Sequence, residues 1–357
     1  MAEYKIGILN GDDIGLEIVP VAVDVIKAAV RAFPEIKIEW VQLPIGYHSY
    51  LEHSHSLPQS TMDALYELDG WILGPIGHMA YPKDPNCVNP HPILRRKFDL
   101  VSNIRPAKAL KGVECINNQT DLVIVRENNE GFQPDRNMHM GNSDCMPTPD
   151  MALSIRVITR RNSTMAAKTA FELARQREKL KKVTAVHKNT VYKYGCSLFL
   201  EACGAVANEY PDITFDTCVV DTFAMKMLMD PTAYDVVATT NMFGDILSDE
   251  AAGLVGGLGM APGLCVGPKY CMAQATHGSA PDIAGKNIAN PYAMIMSGQM
   301  MFSWLANLKG DKAGIKAADN IEAAAAAVVA EKTSVTPDLK GTASTQQMGE
   351  AICKKLM

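Results

Sequence analysis

The chain has 357 residues, of which 47% are hydrophobic and 20% charged, as expected for a soluble globular protein with room for two domains. The net charge of −5 and the lack of a long basic run argue against a nucleic-acid partner. Neither a membrane span nor a signal peptide is apparent, and the nine cysteines form no Cys-x-x-Cys pair. We therefore expect a cytoplasmic protein that makes no membrane contact.

Hydrophobic periodicity predicts alternating strands and helices. Strands are predicted at residues 4–9, 37–42, 70–74, 121–127, 151–159, 183–187 and 234–239. Helices are predicted at 17–31, 60–68, 163–177, 192–209, 291–304 and 322–330, with another after residue 241 and a short one leading into an extended segment within 93–106. Residues 82–92 and 272–291 are predicted loops, and 128–150 a loop or small arm. The order is typical of an α/β fold.

Two carboxylates lie four residues apart in the helix predicted after residue 241. Asp245 and Asp249 would point the same way, one turn apart, and oxygen ligands of this kind suit Mg²⁺ or Mn²⁺. The alternative is an aspartate favoured by the helix dipole and a second one on a solvated face. The four glycines between residues 253 and 259 follow this helix rather than open one, so they do not match the Rossmann dinucleotide motif.

Charged residues follow several of the predicted strands. Arg126, Lys188 and Asp221 each come just after an apolar strand, and Arg105 ends an extended segment. In open α/β sheets ligands bind beyond the carboxyl ends of strands, where these arginines and Arg95 could clamp carboxylates. A surface salt bridge is the alternative for any single arginine. Together they suggest a small di- or tricarboxylate held on a divalent metal.

Seven motifs in a fixed order carry a family resemblance: Asn10–Gly15, Leu94–Pro106, Val125–Asn128, Val186–Lys188, Val220–Asp221, Asn241–Asp249 and His277–Gly285. In these motifs and their spacing the chain resembles the β-decarboxylating dehydrogenases that act on isopropylmalate, isocitrate, homoisocitrate, tartrate or D-malate. The resemblance implies a two-domain, non-Rossmann α/β fold. Residues 1–104 and 257–357 would form the large domain, and residues 105–256 the small domain with the dimer interface.

The resemblance also assigns roles to the charged residues. Arg95, Arg105 and Arg126 would bind the malate carboxylates of the substrate. Asp245 and Asp249 of one subunit would bind Mg²⁺ or Mn²⁺ together with Asp221 of the other. Lys188, also from the partner, would accept the hydroxyl proton before hydride transfer and loss of CO₂. The family is dimeric, so we expect a homodimer with shared active sites, and a tetramer is the alternative.

The cofactor implied by the resemblance is NAD. Asp282 occupies the place where NAD-dependent members carry an acid for the ribose hydroxyls, and it would repel the 2′-phosphate of NADP. The alternative for Asp282 is a plain turn residue after Pro281. The residues expected to bind the cofactor are Ile14, Gly74, Pro75, Ile76, His277, Gly278, Ala280, Pro281, Asp282, Ile283 and Asn290.

Three positions depart from the family pattern. Gln133 stands where the family has the tyrosine that protonates the enol, Thr190 replaces an asparagine, and Asp13 replaces a glycine. Glutamine cannot act as a general acid, so another proton source such as water, Tyr192 or Tyr194 would be needed. The departure leaves open a normal decarboxylating enzyme, an oxidation that stops at the oxo acid, or an unusual substrate.

The residue expected to face the C3 substituent of the substrate is His91, with Asn89 nearby. A polar pair is a poor pocket for an isopropyl group, which favours a small or polar substituent as in tartrate, malate or isocitrate, although isopropylmalate stays open. An exposed loop histidine is the alternative. The competing functional class is a non-catalytic regulatory subunit of an NAD-isocitrate dehydrogenase oligomer. Retention of the metal-binding aspartates, Lys188 and the three arginines argues against it.

Overall fold

The computed structural model describes residues 2–133 and 135–357; Met1, at the start of the predicted large domain, and Pro134, in the predicted 128–150 loop, lie outside them. The strands are β1 Ala2–Leu9, β2 Ile36–Gln42, β3 Gly70–Leu73, β4 Ser102–Lys108, β5 Asp121–Glu127, β6 Asp144–Thr148, β7 Met151–Ser154, β8 Lys182–His187, β9 Thr214–Val219, β10 Val236–Thr239, β11 Leu264–Val266 and β12 Cys271–Ala273. The α-helices are α1 Gly15–Val30, α2 Gly46–His53, α3 Gln59–Leu65, α4 Pro90–Lys97, α5 Arg160–Arg177, α6 Lys193–Ala207, α7 Val220–Met229, α8 Asn241–Leu254, α9 Tyr292–Lys309, α10 Lys312–Glu331 and α11 Thr345–Leu356.

Ten of the strands form one mixed sheet in the order β2-β1-β3-β12-β11-β4-β5-β10-β8-β9. The strands at both ends of this order are parallel, whereas β12, β11, β4 and β5 pair antiparallel in the middle. Strand β4 crosses the predicted domain boundary at residue 104 and pairs with β11 on one side and β5 on the other. The two predicted domains therefore share a continuous sheet, and the division between them stays a prediction.

Each half of the sheet is covered on both faces. In the first half, α1, α9, α10 and α11 pack over one apolar cluster, and Trp71 and Phe98, with ring centroids 4.7 Å apart, belong to the cluster on the opposite face. In the second half, β5 buries Ile124 against α7 and α8 and buries Val125 in the cluster that includes residues of α5 and α6. Because alternate residues of a strand point to opposite faces, Arg126 shares the α8 face with Ile124.

The structure corrects several sequence predictions. Residues 82–92 were predicted as a loop, but α4 begins at Pro90, because Asn89 caps it by accepting from the His91 backbone N–H and a proline fits the first helical turn. The strand predicted at 151–159 ends at Ser154 and pairs with β6 in a hairpin that is exposed on both strands, and Val157 forms a single bridge to Gly131. Helices α2, α7 and α11 and strands β6, β11 and β12 were not predicted.

Among the described residues, no helix combines the length and the apolarity that a membrane crossing requires.

Candidate active site

Two of the predicted substrate arginines stand side by side on neighbouring strands. Arg105 lies on β4 and Arg126 on β5, and the register pairs Asn103 with Arg126, so both arginines point to the same face of the sheet. Helix α8 covers that face. Its Gly244 permits the close approach, because a Cβ atom there would come within 2.6 Å of the Arg126 Cβ. A glycine in the sequence Asn-Met-Phe-Gly-Asp thus brings the following carboxylate onto the arginines.

Asp245 of α8 binds both guanidinium groups. Arg105 Nη1 donates to Asp245 Oδ1 at 3.1 Å, and Arg126 Nη1 contacts the same oxygen. Asp249 lies one turn further, 3.8 Å from Arg105, and Ser248 accepts a hydrogen bond from Arg105 at 2.7 Å. Burial lowers the pKa of both arginines, and it raises the pKa of Asp249. The predicted pair of aspartates therefore does share one face and lies against two buried cations.

Asn241, at the start of α8, is a site residue whose role no pattern in the sequence predicts. Its Oδ1 atom accepts hydrogen bonds from Arg126 Nε at 3.1 Å and Nη2 at 2.6 Å. Gln133, the residue at the place of the family tyrosine, donates to the same oxygen at 3.4 Å. Gln133 consequently lies beside Arg126, within the arginine cluster.

His91 and Arg95 are bridged by Gln274, another residue whose role no pattern in the sequence predicts. Arg95 Nη2 donates to Gln274 Oε1 at 3.1 Å, and Gln274 Nε2 lies 2.9 Å from His91 Nε2. Since an arginine can only donate, the amide oxygen faces Arg95 and the amide N–H₂ donates to His91. The His91 ring is then neutral, and burial together with the nearby Arg95 holds its pKa well below the usual range. His91 is thus a partly buried member of a site network and not an exposed loop histidine.

Arg136 is a fourth buried arginine near this cluster. Its side chain is 8% exposed, and Nη1 donates to the Asn128 carbonyl at 3.1 Å. Burial is the main cause that lowers its pKa to about 10, and the positive charge of Arg95 adds to the effect. The sequence marks Arg136 only by its position three residues after Gln133, because the segment around it has no hydrophobic periodicity.

The predicted catalytic lysine and the third predicted metal ligand lie together, apart from the other two aspartates. Lys188 follows β8, and its Nζ contacts Asp221 at the start of α7. Within the described part of the chain, no three His, Cys, Asp or Glu side chains cluster closely enough to hold a metal ion. One chain therefore presents two partial sites: a pair of carboxylates on α8, and a lysine–aspartate pair elsewhere.

The two tyrosines considered as alternative proton donors have different surroundings. The Tyr192 ring packs edge-on against Phe132, the neighbour of Gln133, with centroids 5.9 Å apart. The Arg156 guanidinium lies 4.8 Å from the centre of the Tyr192 ring. Tyr194, by contrast, is 94% exposed. Of the two, Tyr192 is the one that packs next to the Gln133 segment.

The loops predicted to bind the cofactor lie against one another. Asp12 N donates to the Pro75 carbonyl at 2.7 Å, and Ile14 N donates to the Ser279 carbonyl at 3.2 Å, which joins the N-terminal loop to both other loops. Asp12 also accepts from the Gly77 N–H at 2.8 Å. Asp13, which replaces a family glycine, keeps the left-handed conformation with φ of 50°, as aspartate can.

Three of the predicted cofactor residues can be judged by their polar atoms. His277 Nε2 is buried and has no hydrogen-bond partner within residues 2–133 and 135–357, so it could receive one from a ligand. Asp282 is exposed, so its carboxylate is accessible to the ribose of a cofactor. The Asn290 amide is already used inside the fold, because it donates to Asp338 at 2.9 Å and accepts from the Tyr292 N–H at 2.9 Å.

Comparisons with known proteins agree over the whole chain. Residues 5–352 match the family described as isocitrate/isopropylmalate dehydrogenase. The 3-isopropylmalate dehydrogenase of Methanothermobacter thermautotrophicus is 38% identical, covering 100% of this chain and 99% of that protein. The isocitrate/homoisocitrate dehydrogenase of Thermus thermophilus is 35% identical over 99% of this chain and 98% of that protein.

A solved structure supports the same conclusion. The crystal structure of isocitrate dehydrogenase from Methylococcus capsulatus matches this fold with a TM-score of 0.85 and 38% sequence identity, covering 99% of each chain. The predicted α/β fold of this type is confirmed. With its sequence matched to the family almost from end to end, the chain belongs to the isocitrate/isopropylmalate dehydrogenase family.

Proposed function

We propose that this protein is an NAD- and divalent-metal-dependent enzyme that oxidises and β-decarboxylates a 3-substituted (R)-malate-type hydroxy acid. Membership of the family indicates a decarboxylating hydroxy acid dehydrogenase, and the cofactor and the substrate are the proposed parts. The observation that supports the proposal is the contact of Arg105 and Arg126 with Asp245, in which two buried guanidinium groups lie next to the carboxylate proposed to bind the metal.

The arginines would orient the substrate. Arg105 and Arg126 are 8% and 3% exposed, and a guanidinium at such a site can bind a carboxylate through two parallel hydrogen bonds. Arg95 is held by Gln274 and would bind from the α4 side. Lys188 would take the proton from the 2-hydroxyl as the general base.

The carboxylates of α8 fit a divalent cation. Asp245 and Asp249 are about half exposed, with side chains 51% and 55% accessible, so oxygen atoms are available beyond those that meet the arginines. Asp221 would be the third ligand, from a second subunit. When bound, the cation would lower the pKa of the substrate hydroxyl and draw electrons toward the ketone oxygen, while NAD would accept the hydride from C2.

A homodimer would complete the site, and two exposed apolar surfaces support it. Helices α7 and α8 expose Met225, Leu228, Met229 and Ile246, and the β6–β7 hairpin exposes Met146, Met151 and Leu153. Exposed apolar side chains grouped on one element are typical of an interaction surface. A twofold axis close to α7 and α8 would bring the Lys188–Asp221 pair of one subunit to the aspartates of the other.

NAD is proposed over NADP on the strength of Asp282. An exposed aspartate beside a ribose accepts hydrogen bonds from its hydroxyls and repels a 2′-phosphate. His277 Nε2 has no hydrogen-bond partner among the described residues, which supports the binding of a ligand at the same loop. Comparing NAD⁺ and NADP⁺ as acceptors for wild type and Asp282→Asn tests this part; a wild-type preference for NADP⁺ would refute it.

The test of the activity measures NADH absorbance and CO₂ release in parallel with Mn²⁺ present. The acids are isopropylmalate, D-malate, tartrate, isocitrate and homoisocitrate. Equal amounts of NADH and CO₂ from one acid would support the proposal. NADH without CO₂ would mean that the reaction stops at the oxo acid. If NAD binds and no acid reacts, the proposed activity is wrong and a regulatory subunit becomes the better account.

A further inference from the structure

Arg136 lies near the arginine cluster and has no carboxylate within hydrogen-bond distance among the described residues. Its side chain is 8% exposed, and the bond from Nη1 to the Asn128 carbonyl is its only hydrogen bond among the described residues. The buried Nε atom has no hydrogen-bond partner there. The nearest carboxylate is that of the adjacent Asp135, 3.6 Å away and 47% exposed. The Asn128 carbonyl is neutral and the Asp135 carboxylate is about half exposed. Together they offset little of the free-energy cost of burying the Arg136 guanidinium.

The four buried arginines are unequally supplied with carboxylates. Arg105 and Arg126 share Asp245, whereas Arg95 is bonded to the neutral amide of Gln274 and its Nε also has no partner in the described chain. Arg95 and Arg136 are thus two cations near each other without a carboxylate in hydrogen-bond contact. An anionic ligand between or beside them would relieve both the repulsion and the desolvation cost.

The position of Arg136 indicates which part of the substrate it meets. The malate carboxylates already have Arg95, Arg105 and Arg126 as their proposed partners. Arg136 donates to the Asn128 carbonyl, and the next residue, Asn129, donates to the Arg95 carbonyl at 3.3 Å, which joins this segment to α4. Helix α4 also carries His91, the residue expected to face the C3 substituent. The neutral His91 ring adds no positive charge of its own, so Arg136 is the additional cation on the substituent side.

We propose that Arg136 binds a carboxylate on the C3 substituent and thereby selects tricarboxylate over dicarboxylate hydroxy acids. This inference rests on the proposed function, since it assumes that the arginine cluster is the substrate site. It gives Arg136 a role in specificity rather than in the reaction itself, because the group it binds lies away from C2 and the carboxylate that leaves.

The test uses ligands that cannot be oxidised, so it does not depend on turnover. Tricarballylate and succinate both lack the 2-hydroxyl, and they differ by one carboxymethyl group. Their dissociation constants are measured by titration calorimetry on the full-length protein with Mn²⁺ and, separately, NADH present. A charge-assisted contact predicts that wild type binds tricarballylate about 10- to 100-fold more tightly than succinate.

In Arg136→Gln this preference should fall to about threefold or less, while succinate binding changes little. Arg96→Gln is the matched control, because Arg96 is an exposed arginine on α4 that contacts the Asp135 carbonyl at 3.3 Å. The control should keep the wild-type preference. Arg136→Lys keeps the positive charge but loses the two parallel N–H donors of the guanidinium, so it should keep part of the preference. This variant replaces Arg136→Gln in the test if the glutamine variant does not fold.

Two outcomes would overturn the assignment. An unchanged preference in Arg136→Gln would show that the carboxylate binds elsewhere, and an equal loss of both ligands with an intact fold would show that Arg136 only supports the loop through Asn128. Failure of the proposed function would look different: the wild type would bind neither ligand, or would bind them and produce no NADH with any acid of the panel.

Discussion

Gln133 donates its side-chain amide to Asn241 Oδ1 at 3.4 Å, the same oxygen that accepts from Arg126 Nη2 at 2.6 Å. A side chain that cannot release a proton therefore lies where the family resemblance expects a tyrosine. Gln133 thus lies next to the arginines proposed to bind the substrate. The consequence is chemical, because the enol formed after decarboxylation needs a proton from another group.

Replacing Gln133 with tyrosine should supply that proton. We expect Gln133→Tyr to raise kcat for the full reaction about tenfold or more, since a positioned general acid contributes about 10²- to 10⁴-fold where proton transfer limits the rate. Gln133→Phe has nearly the same shape without the hydroxyl and is the control. NADH and CO₂ are followed for both variants on the preferred acid. If the two variants behave alike, proton supply at residue 133 does not limit the reaction.

The second prediction concerns Gly244, the residue at which α8 contacts Arg126. A methyl group there would lie 2.6 Å from the Arg126 Cβ and 3.1 Å from its Cα, so Gly244→Ala must push α8 away from β5. We expect a loss of about 1–3 kcal/mol in the free energy of unfolding, as for overpacked cores, and weaker Mn²⁺ binding because Asp245 moves with the helix.

Gly253 provides the control on the same helix. A Cβ atom there meets no described atom within 4 Å, so Gly253→Ala should keep Mn²⁺ affinity and gain up to about 1 kcal/mol from helix propensity. Chemical denaturation and Mn²⁺ titration measure both variants. Equal effects at the two positions would mean that the contact with Arg126 does not set the position of Asp245.

The parts of the site that the sequence predicts are those with local causes. The four-residue spacing of Asp245 and Asp249 fixes their common face once a helix forms, and Arg126 is placed by an unbroken apolar strand before it. Both placements can be predicted from the periodicity of a few consecutive residues. These features also belong to motifs of the family, so resemblance and periodicity point to the same atoms.

The remaining features depend on contacts between distant segments. Gln274 reaches His91 across 183 positions of sequence, and no local pattern connects them. Arg136 lies in a polar segment with no sign of burial in its sequence, yet its side chain is only 8% exposed. Helix α2 has few buried residues and begins at Gly46 with φ of 83°, so its apolar pattern is too weak to predict it.

A third prediction concerns pH and His187, a buried residue at the end of β8. Burial lowers its pKa, so the folded protein keeps His187 neutral at a pH where the unfolded chain, with a pKa near 6.5, takes up a proton. The unfolded state then binds more protons, and acidification below about pH 6.5 should reduce the free energy of unfolding by up to about 1.4 kcal/mol per pH unit.

The measurement compares variants because Glu127 changes the free energy of unfolding with pH in the opposite direction. Burial raises the pKa of Glu127 to about 7, so the folded state takes up a proton there first and gains stability as the pH falls from about 7 toward its unfolded value near 4.5. Urea unfolding of His187→Gln between pH 5 and 8 should show a shallower loss on acidification than wild type. His53→Gln, at an exposed position, should follow wild type; parallel curves for all three would refute the prediction.

The last prediction concerns the separation of Lys188 and Asp245 in a single chain. Lys188 contacts Asp221, and Asp245 contacts two arginines, so a proposed active site draws the lysine from one subunit and the α8 aspartates from the other. Lys188→Met and Asp245→Asn should each lose nearly all activity. In a dimer carrying one copy of each variant, one of the two sites would have both residues intact.

Coexpression in equal amounts should therefore restore about one quarter of wild-type activity, because about half of the dimers are mixed and half of their sites are complete. Two differently tagged chains and tandem purification would isolate the mixed dimer, which should reach about half of wild-type activity. Coexpressing Asp245→Asn with Asp249→Asn is the control, since both changes affect the same half-site and no complete site can form. Activity in neither combination would mean that Lys188 and Asp245 serve the same site from one chain, which would overturn the shared-site proposal.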